Sequence, residues 1–236
     1  MYVSLRLRDL RPDATLSWDI LRVGLPQSAE YVTMSVINIP MNFIIVGVGG
    51  ADAVGVYTSA WRVAYIVLIP AQAYSGAVVS VCSAEYAMGR PDLVKDAYRF
   101  AVRRSMWHTT LTSVAMMVMS YPLAMLFTQA GDLEYLRVET MIIFLCLGAC
   151  MPVMSQVFVG SSFLQALKHS EIGFLSSLIR NIVMVSGYAA MAWIFHSVTM
   201  IWVIMAVIEV FGGLLMAWLA WRAILSFERR CRPLDV

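Results

Sequence analysis

The chain has 236 residues, of which 60% are hydrophobic and 14% charged, and a formal net charge of +2. Its mean hydropathy of +0.74 lies far from soluble proteins, where about a quarter of residues are charged, so soluble enzyme folds are set aside. Apolar stretches of roughly 20 residues recur along it. The expected fold is therefore all-α: a polytopic membrane protein built as a helical bundle, not a barrel whose strands would alternate with a period of two.

In chain order, residues 1–20 read as a cytoplasmic connector. The piece LRLRDLRPDATLSWDI mixes charge with leucine, either as a plain segment flanking a span or as an amphipathic helix along the membrane surface. The charged start MYVSLRLRDLRPD is followed by no short apolar region with a cleavage site, so no signal peptide is expected. Six spans follow within a membrane lobe over 21–225: about 21–47, ending at Gly49-Gly50; about 52–86, with Pro70 inside; about 92–120, stopping near Tyr121-Pro122; about 134–166, with Pro152 inside; about 171–195; and about 199–225. Residues 226–236 form a cytoplasmic tail.

Arginine and lysine are enriched in cytoplasmic loops near span ends. Arg6, Arg8, Arg11 and Arg22 precede the first span, and Arg90, Lys95, Arg99, Arg103 and Arg104 flank the turn after the second. Lys168 and Arg180 are assigned to the flanks of the turn after the fourth, and Arg222, Arg229, Arg230 and Arg232 close the chain. The other side has only Arg137, beside Asp132, Glu134 and Glu139. Both termini are thus expected on the cytoplasmic side of the cell membrane. No basic run suggests nucleic acid.

Polar residues inside the spans are the functional signal. At about 100° per residue, Gln27, Glu30, Tyr31, Met34, Asn38, Met41 and Asn42 fall on one side of the first span, while Val32, Val36, Ile39 and Phe43 fall on a side suited to lipid. Pro40 should kink this span and free the carbonyl of Val36. In the second span Thr58, Arg62, Tyr65, Gln72 and Gly76 share a face, and Pro70 frees the carbonyl of Ile66. Counting about 1.5 Å per residue brings Glu30 and Arg62 to matching depths near 15 Å.

An unpaired charge at mid-bilayer costs at least about 2.5 to 3.5 kcal/mol, so such residues face the interior, pair, or mark a path for ions or substrate. Three readings of Glu30 stand: a proton or cation coupling site, a structural pair with Arg62 or with backbone and amides, and a carboxylate solvated near the interface. Glu209, in IWVIMAVIEVFGG, is either a second coupling carboxylate or a packing acid, with Gly212-Gly213 serving helix packing. Among the 17 methionines, Met34 and Met41 are favoured for a cavity wall. Cys82, Cys146, Cys150 and Cys231 show no zinc spacing and read as packing, and His108, His169 and His196 have no partners at metal spacing.

Several stretches resemble half of a MATE-type (multidrug and toxic compound extrusion) transporter. LRLRDLRPD leading to ILRVGLP is similar to the passage between the family's two lobes, and GGADAVGVYTSAWRVAYIVLIPAQAYSGAVVSV to the second helix of a lobe. AEYAMGRPDLVKDAYRFAVRR resembles the Gly-Arg-Pro-Asp turn into the next helix, and SLIRNIVMVSGYAAM with IWVIMAVIEVFGGLLMAW the last two helices of a lobe. The resemblance covers roughly 5–228 and implies the C-terminal six-helix lobe of a twelve-helix fold, with a V-shaped cavity shared with a second six-helix half, either another copy or separately encoded. It implies exchange of H+ or Na+ for small organic cations by alternating access, with no further cofactor and no enzymatic activity. A start at Met1 inside connector-like sequence fits a split or truncated product.

Two departures from the family pattern stand out. One sodium-coupled branch has an acidic residue eight positions after the proline of the GLP-like motif; here that position is Met34, and the acid is Glu30. The glycine-rich turn after the fourth helix reads QALKHSEIG. On this reading Glu30 is the candidate coupling or substrate-charge site, Arg62 tunes it, and Gln27, Asn38, Asn42 and Gln72 supply hydrogen bonds, with Glu209 as a further candidate. A lipid or lipid-linked sugar flippase of the related superfamily and a non-transporting membrane subunit or fragment are the alternatives.

Overall fold

A computed structural model describes residues 14–129 and 133–231, with the backbone alone for Leu16, Asp19, Ile20, Val23 and Gln27. The described residues form seven α-helices: α1 (Ala14–Val67), α2 (Ile69–Ala87), α3 (Pro91–Val118), α4 (Ser120–Phe127), α5 (Arg137–Ala166), α6 (Ser170–Phe195) and α7 (Val198–Cys231), with a short 3-10 turn at Glu134–Leu136 before α5. Most of the expected connector, residues 1–13, lies outside the described residues.

Three breaks turn seven helices into six rods; among the described residues four helices, or five counting the bent α3–α4 pair as one, are long and apolar enough to cross a membrane. Gly50 leaves helical geometry (φ 71, ψ −169), dividing α1 into limbs 14–49 and 51–67. That φ is open to glycine at no steric cost, which makes Gly50 the residue for this turn. The second limb continues into α2 across Leu68, two residues before Pro70, whose ring removes the helical bond to Ile66. α3 continues into α4 across Met119 through a 64° bend, so the third rod runs past the expected stop to Phe127, and Pro122 sits within the first turn of α4. By contrast, α1 stays helical through Pro40. The last rod extends to Cys231, six residues beyond its expected end.

α5 is the axis of the bundle. It packs against α1, α2, α3, α4, α6 and α7, and Phe144, Leu147, Met151, Phe163 and Leu164 are fully enclosed. Small residues permit the closest approaches: a Cβ on Gly213 of α7 would collide with the carbonyl oxygen of Val153 on α5. The two ends of the bundle are tied separately. At one, Tyr135 donates to Asp52; at the other, Lys95 Nζ meets Glu228 at 2.5 Å. Val32, Val36, Ile39 and Phe43 are all exposed, as expected of a lipid-facing stripe.

The turn between α5 and α6 has the hydrogen bonds of a helix stop that glycine usually completes: His169 N–H donates to Leu164 C=O (2.8 Å) and Lys168 N–H to Gln165 C=O (3.0 Å). The left-handed position is held by Lys168 (φ 61). The turn after α2 has the same bonds with Gly89 (φ 68) in that place.

Candidate functional site

Because α1 doubles back at Gly50, residues equidistant from it lie at the same depth. Asn38 and Arg62 are each twelve positions away and Asn42 and Thr58 each eight, or about 18 and 12 Å from the turn at the helical rise. All four line one cavity of about 370 Å³. Met34, Ile37 and Met41 join them from the first limb, Tyr57, Trp61 and Tyr65 from the second, Met154 and Phe158 from α5, Arg180, Asn181, Met184 and Tyr188 from α6, and Glu209 from α7. Tyr57 stacks on Trp202 behind the wall, with ring centroids 5.7 Å apart. The wall is largely aromatic and thioether, with a few convergent polar groups, the composition of a small-molecule site.

The charge on this wall is organised by α6 and α7. Arg180 Nη1 donates to both carboxylate oxygens of Glu209, at 2.8 and 2.6 Å, and the two residues are 6% and 2% exposed. Ten residues into α6, Arg180 is about 15 Å from that helix's start, well inside the helix. Its aliphatic stem crosses α7 at Gly212, where any Cβ would collide with it. Among the polar atoms of lining residues, Arg180 Nε, Asn181 Nδ2, Asn42 Oδ1, Trp61 Nε1 and Tyr188 Oη are buried with no hydrogen-bond partner among the described residues. Buried polar groups are normally satisfied, so these atoms leave the polar part of the wall without its full set of partners. Arg62 also lines the cavity, is exposed, and forms no ion pair among the described residues.

Glu30 lies elsewhere. It is 6% exposed, outside the cavity wall, and accepts hydrogen bonds from Ser161 of α5 (2.9 Å) and Ser177 of α6 (2.5 Å). A pair with Arg62, one of the readings left open for Glu30, does not form among the described residues. Measured from Gly50, Glu30 is about 30 Å along its limb and Arg62 about 18 Å along the other, which leaves roughly 12 Å of depth between them. Counting each residue from a different span end concealed that offset.

Residues 26–191 match the model of the MatE family. The chain belongs to the MatE family. Its fold agrees with solved MATE structures: TM-score 0.91 to a crystal structure of MATE in complex with MaL6, at 22% identity, covering 97% of this chain and 51% of that one. For an outward-facing multidrug resistance MATE family transporter of the MOP superfamily the TM-score is 0.87 at 22% identity, covering 97% and 51%. For a MOP superfamily transporter from Pyrococcus furiosus, described as having a binding pocket of reverse polarity, it is 0.89 at 22% identity, covering 96% and 51%. This chain therefore spans about half the length of the solved structures it matches. No curated protein matches it.

Within this MatE half, the structure sorts the expected residues. Asn38, Asn42, Arg62, Glu209, Met34 and Met41 come together on the cavity wall. Gln72 does not: it lies beyond the break at Leu68, exposed and away from the cavity. The side chain of Gln27 lies outside the described residues. Tyr31 is exposed and lines no part of the wall. Arg180, assigned from the sequence to the flank of a turn, is instead the buried partner of Glu209. Its signal was available, since it stands nine residues inside the span expected over 171–195.

Proposed function

We propose that this MatE half is one lobe of a cation-coupled antiporter that exports small organic cations by alternating access. The supporting observation is the Glu209 carboxylate held by Arg180 on an aromatic, methionine-lined wall. A cationic guest stacks on Tyr57, Trp61 or Tyr65 and competes with the guanidinium for Glu209, so binding loosens α6 from α7. The coupling ion is H+ or Na+, with Glu30 its candidate site: protonating Glu30, or drawing it to a metal cation, would change the two serine contacts that join the first limb to α5 and α6. A second six-helix half, a copy or a separate product, closes the cavity. Both termini face the cytoplasm from the cell membrane. Breaks at Gly50, Leu68 and Met119 supply places to bend between states.

The test is reconstitution, with and without a candidate second half, following efflux of a fluorescent organic cation under an imposed H+ or Na+ gradient. The expected result is gradient-dependent efflux that is lost in Glu209→Gln with Arg180→Gln and uncoupled from the gradient in Glu30→Gln. Leakage independent of any gradient, or an unchanged rate in Glu30→Gln, rejects the coupling.

A second reading is favoured by the charge count on the wall, where two guanidiniums, Arg62 and Arg180, face one carboxylate, Glu209. That balance suits an anionic amphiphile, as in a flippase of the related superfamily. Transbilayer movement of a labelled anionic lipid, lost in Arg62→Gln while cation efflux is absent, selects it.

A further inference from the structure

The outer face of α3 carries a feature that the transport cavity does not use. Near the start of α3 the cations are matched: Lys95 meets Glu228 at 2.5 Å, and the Arg99 guanidinium lies 5.0 Å from the ring centre of Trp221 on α7. One turn deeper, Arg103 and Arg104 are exposed and meet no carboxylate among the described residues. They border a groove of about 590 Å³ with Phe100, Met106, Trp107 and Thr110, and the Arg104 guanidinium lies over the Phe100 ring. Below the groove the same helix exposes Leu111, Val114 and Val118. No residue of α3 lines the transport cavity.

We infer that this groove is a binding site for an anionic phospholipid, whose phosphate sits between Arg103 and Arg104 and whose acyl chain runs along Leu111, Val114 and Val118. The order along the helix follows the lipid: guanidiniums at headgroup level, Trp107, 65% exposed, at the glycerol level where amphipathic rings settle, and aliphatic side chains beneath. The Arg222–Trp218 contact at 4.9 Å and the Arg99–Trp221 contact put the interface of neighbouring α7 at the same level. Two adjacent forks of N–H donors without a protein anion suit a phosphodiester better than a zwitterionic headgroup, whose ammonium would face the arginines. A basic segment at a leaflet surface favours anionic lipid by about fivefold per arginine.

Reconstitution of the whole chain in vesicles of phosphatidylcholine with brominated phosphatidylglycerol, or with brominated phosphatidylcholine at equal fraction, tests the site through tryptophan quenching. The Trp107 contribution is isolated by subtracting Trp107→Phe. Stronger quenching by the brominated anionic lipid is expected, with the preference reduced about 25-fold in Arg103→Gln with Arg104→Gln and retained when both are lysine. Equal quenching by the two lipids in the unaltered chain overturns the site, and this comparison needs no variant at the arginines to fold. A preference that persists in the glutamine pair also overturns it, as does loss of the preference in millimolar inorganic phosphate, which would mark a site for the free anion.

Discussion

Arg180 of α6 and Glu209 of α7 form the buried ion pair of this lobe, both oxygens of the carboxylate being held by one guanidinium nitrogen at 2.6 and 2.8 Å. The pair is asymmetric in its energetics. Removing either partner leaves a charge enclosed without its counter-charge, at a cost of about 3–5 kcal/mol, whereas replacing both by apolar residues of similar volume is close to neutral. Arg180→Leu and Glu209→Met should therefore each depress the unfolding midpoint in detergent sharply, and the double substitution should recover most of the loss. If the two single losses simply add in the double variant, the residues are not paired in solution.

Glu30 is predicted to be a fastening point. Hydrogen bonds to a charged group contribute about 1.5–3 kcal/mol each, so Ser161→Ala and Ser177→Ala should each destabilise the fold by that order. Most of each effect should vanish when Glu30 is leucine, because the acceptor has gone. A double-mutant cycle on thermal unfolding reads this coupling, and equal serine effects in both backgrounds would refute it.

Lys168 occupies a left-handed position that costs an L-residue about 1 kcal/mol, while the matching turn after α2 uses Gly89. Lys168→Gly should raise stability by about that amount, read as a higher unfolding midpoint in detergent. The corresponding exchange at the other turn, Gly89→Lys, should lower it similarly. A neutral result at both would show that neither turn is under strain.

Gly212 and Gly213 are adjacent but should respond differently to alanine. The new methyl at 213 meets the backbone of Val153, which cannot move without shifting α5, so folded yield should fall markedly. At 212 it meets the stem of Arg180, which can rotate away. Gly212→Ala should therefore fold and instead weaken the Arg180–Glu209 pair, visible as a smaller penalty for Glu209→Gln in that background.

The rods were legible because their signal is additive over many residues: spans expected at 134–166 and 171–195 appear within a few residues of their observed limits. The polar face of the first span was legible for the same reason, since Met34, Asn38, Met41 and Asn42 obey helical spacing and all reach the cavity. Partners were not. Which cation meets which acid depends on depth and on neighbouring rods, and hydropathy specifies neither. Gly50 held part of the missing information: counting outward from it aligns Asn38 with Arg62 and separates Glu30 from both. Arg180 was hidden by a rule that treats every arginine near a span end as a loop marker, although ten residues of helix precede it in α6.

The central position of α5 bears on how the lobe is made. The most apolar stretch within residues 134–166 has a mean hydropathy of 2.2, ample for entering the bilayer unaided, yet 61% of that stretch is enclosed by protein. The helices made before α5 can cover it as it inserts, but the flank that α7 covers has only lipid to meet until α7 is made, and replacing that lipid draws on close packing because lipid is as apolar as the helix replacing it. Val153 and Gly160 lie against Gly213 and Met216 of α7, so a ribosome stalled before α7 should leave both open to crosslinking by lipid-borne probes.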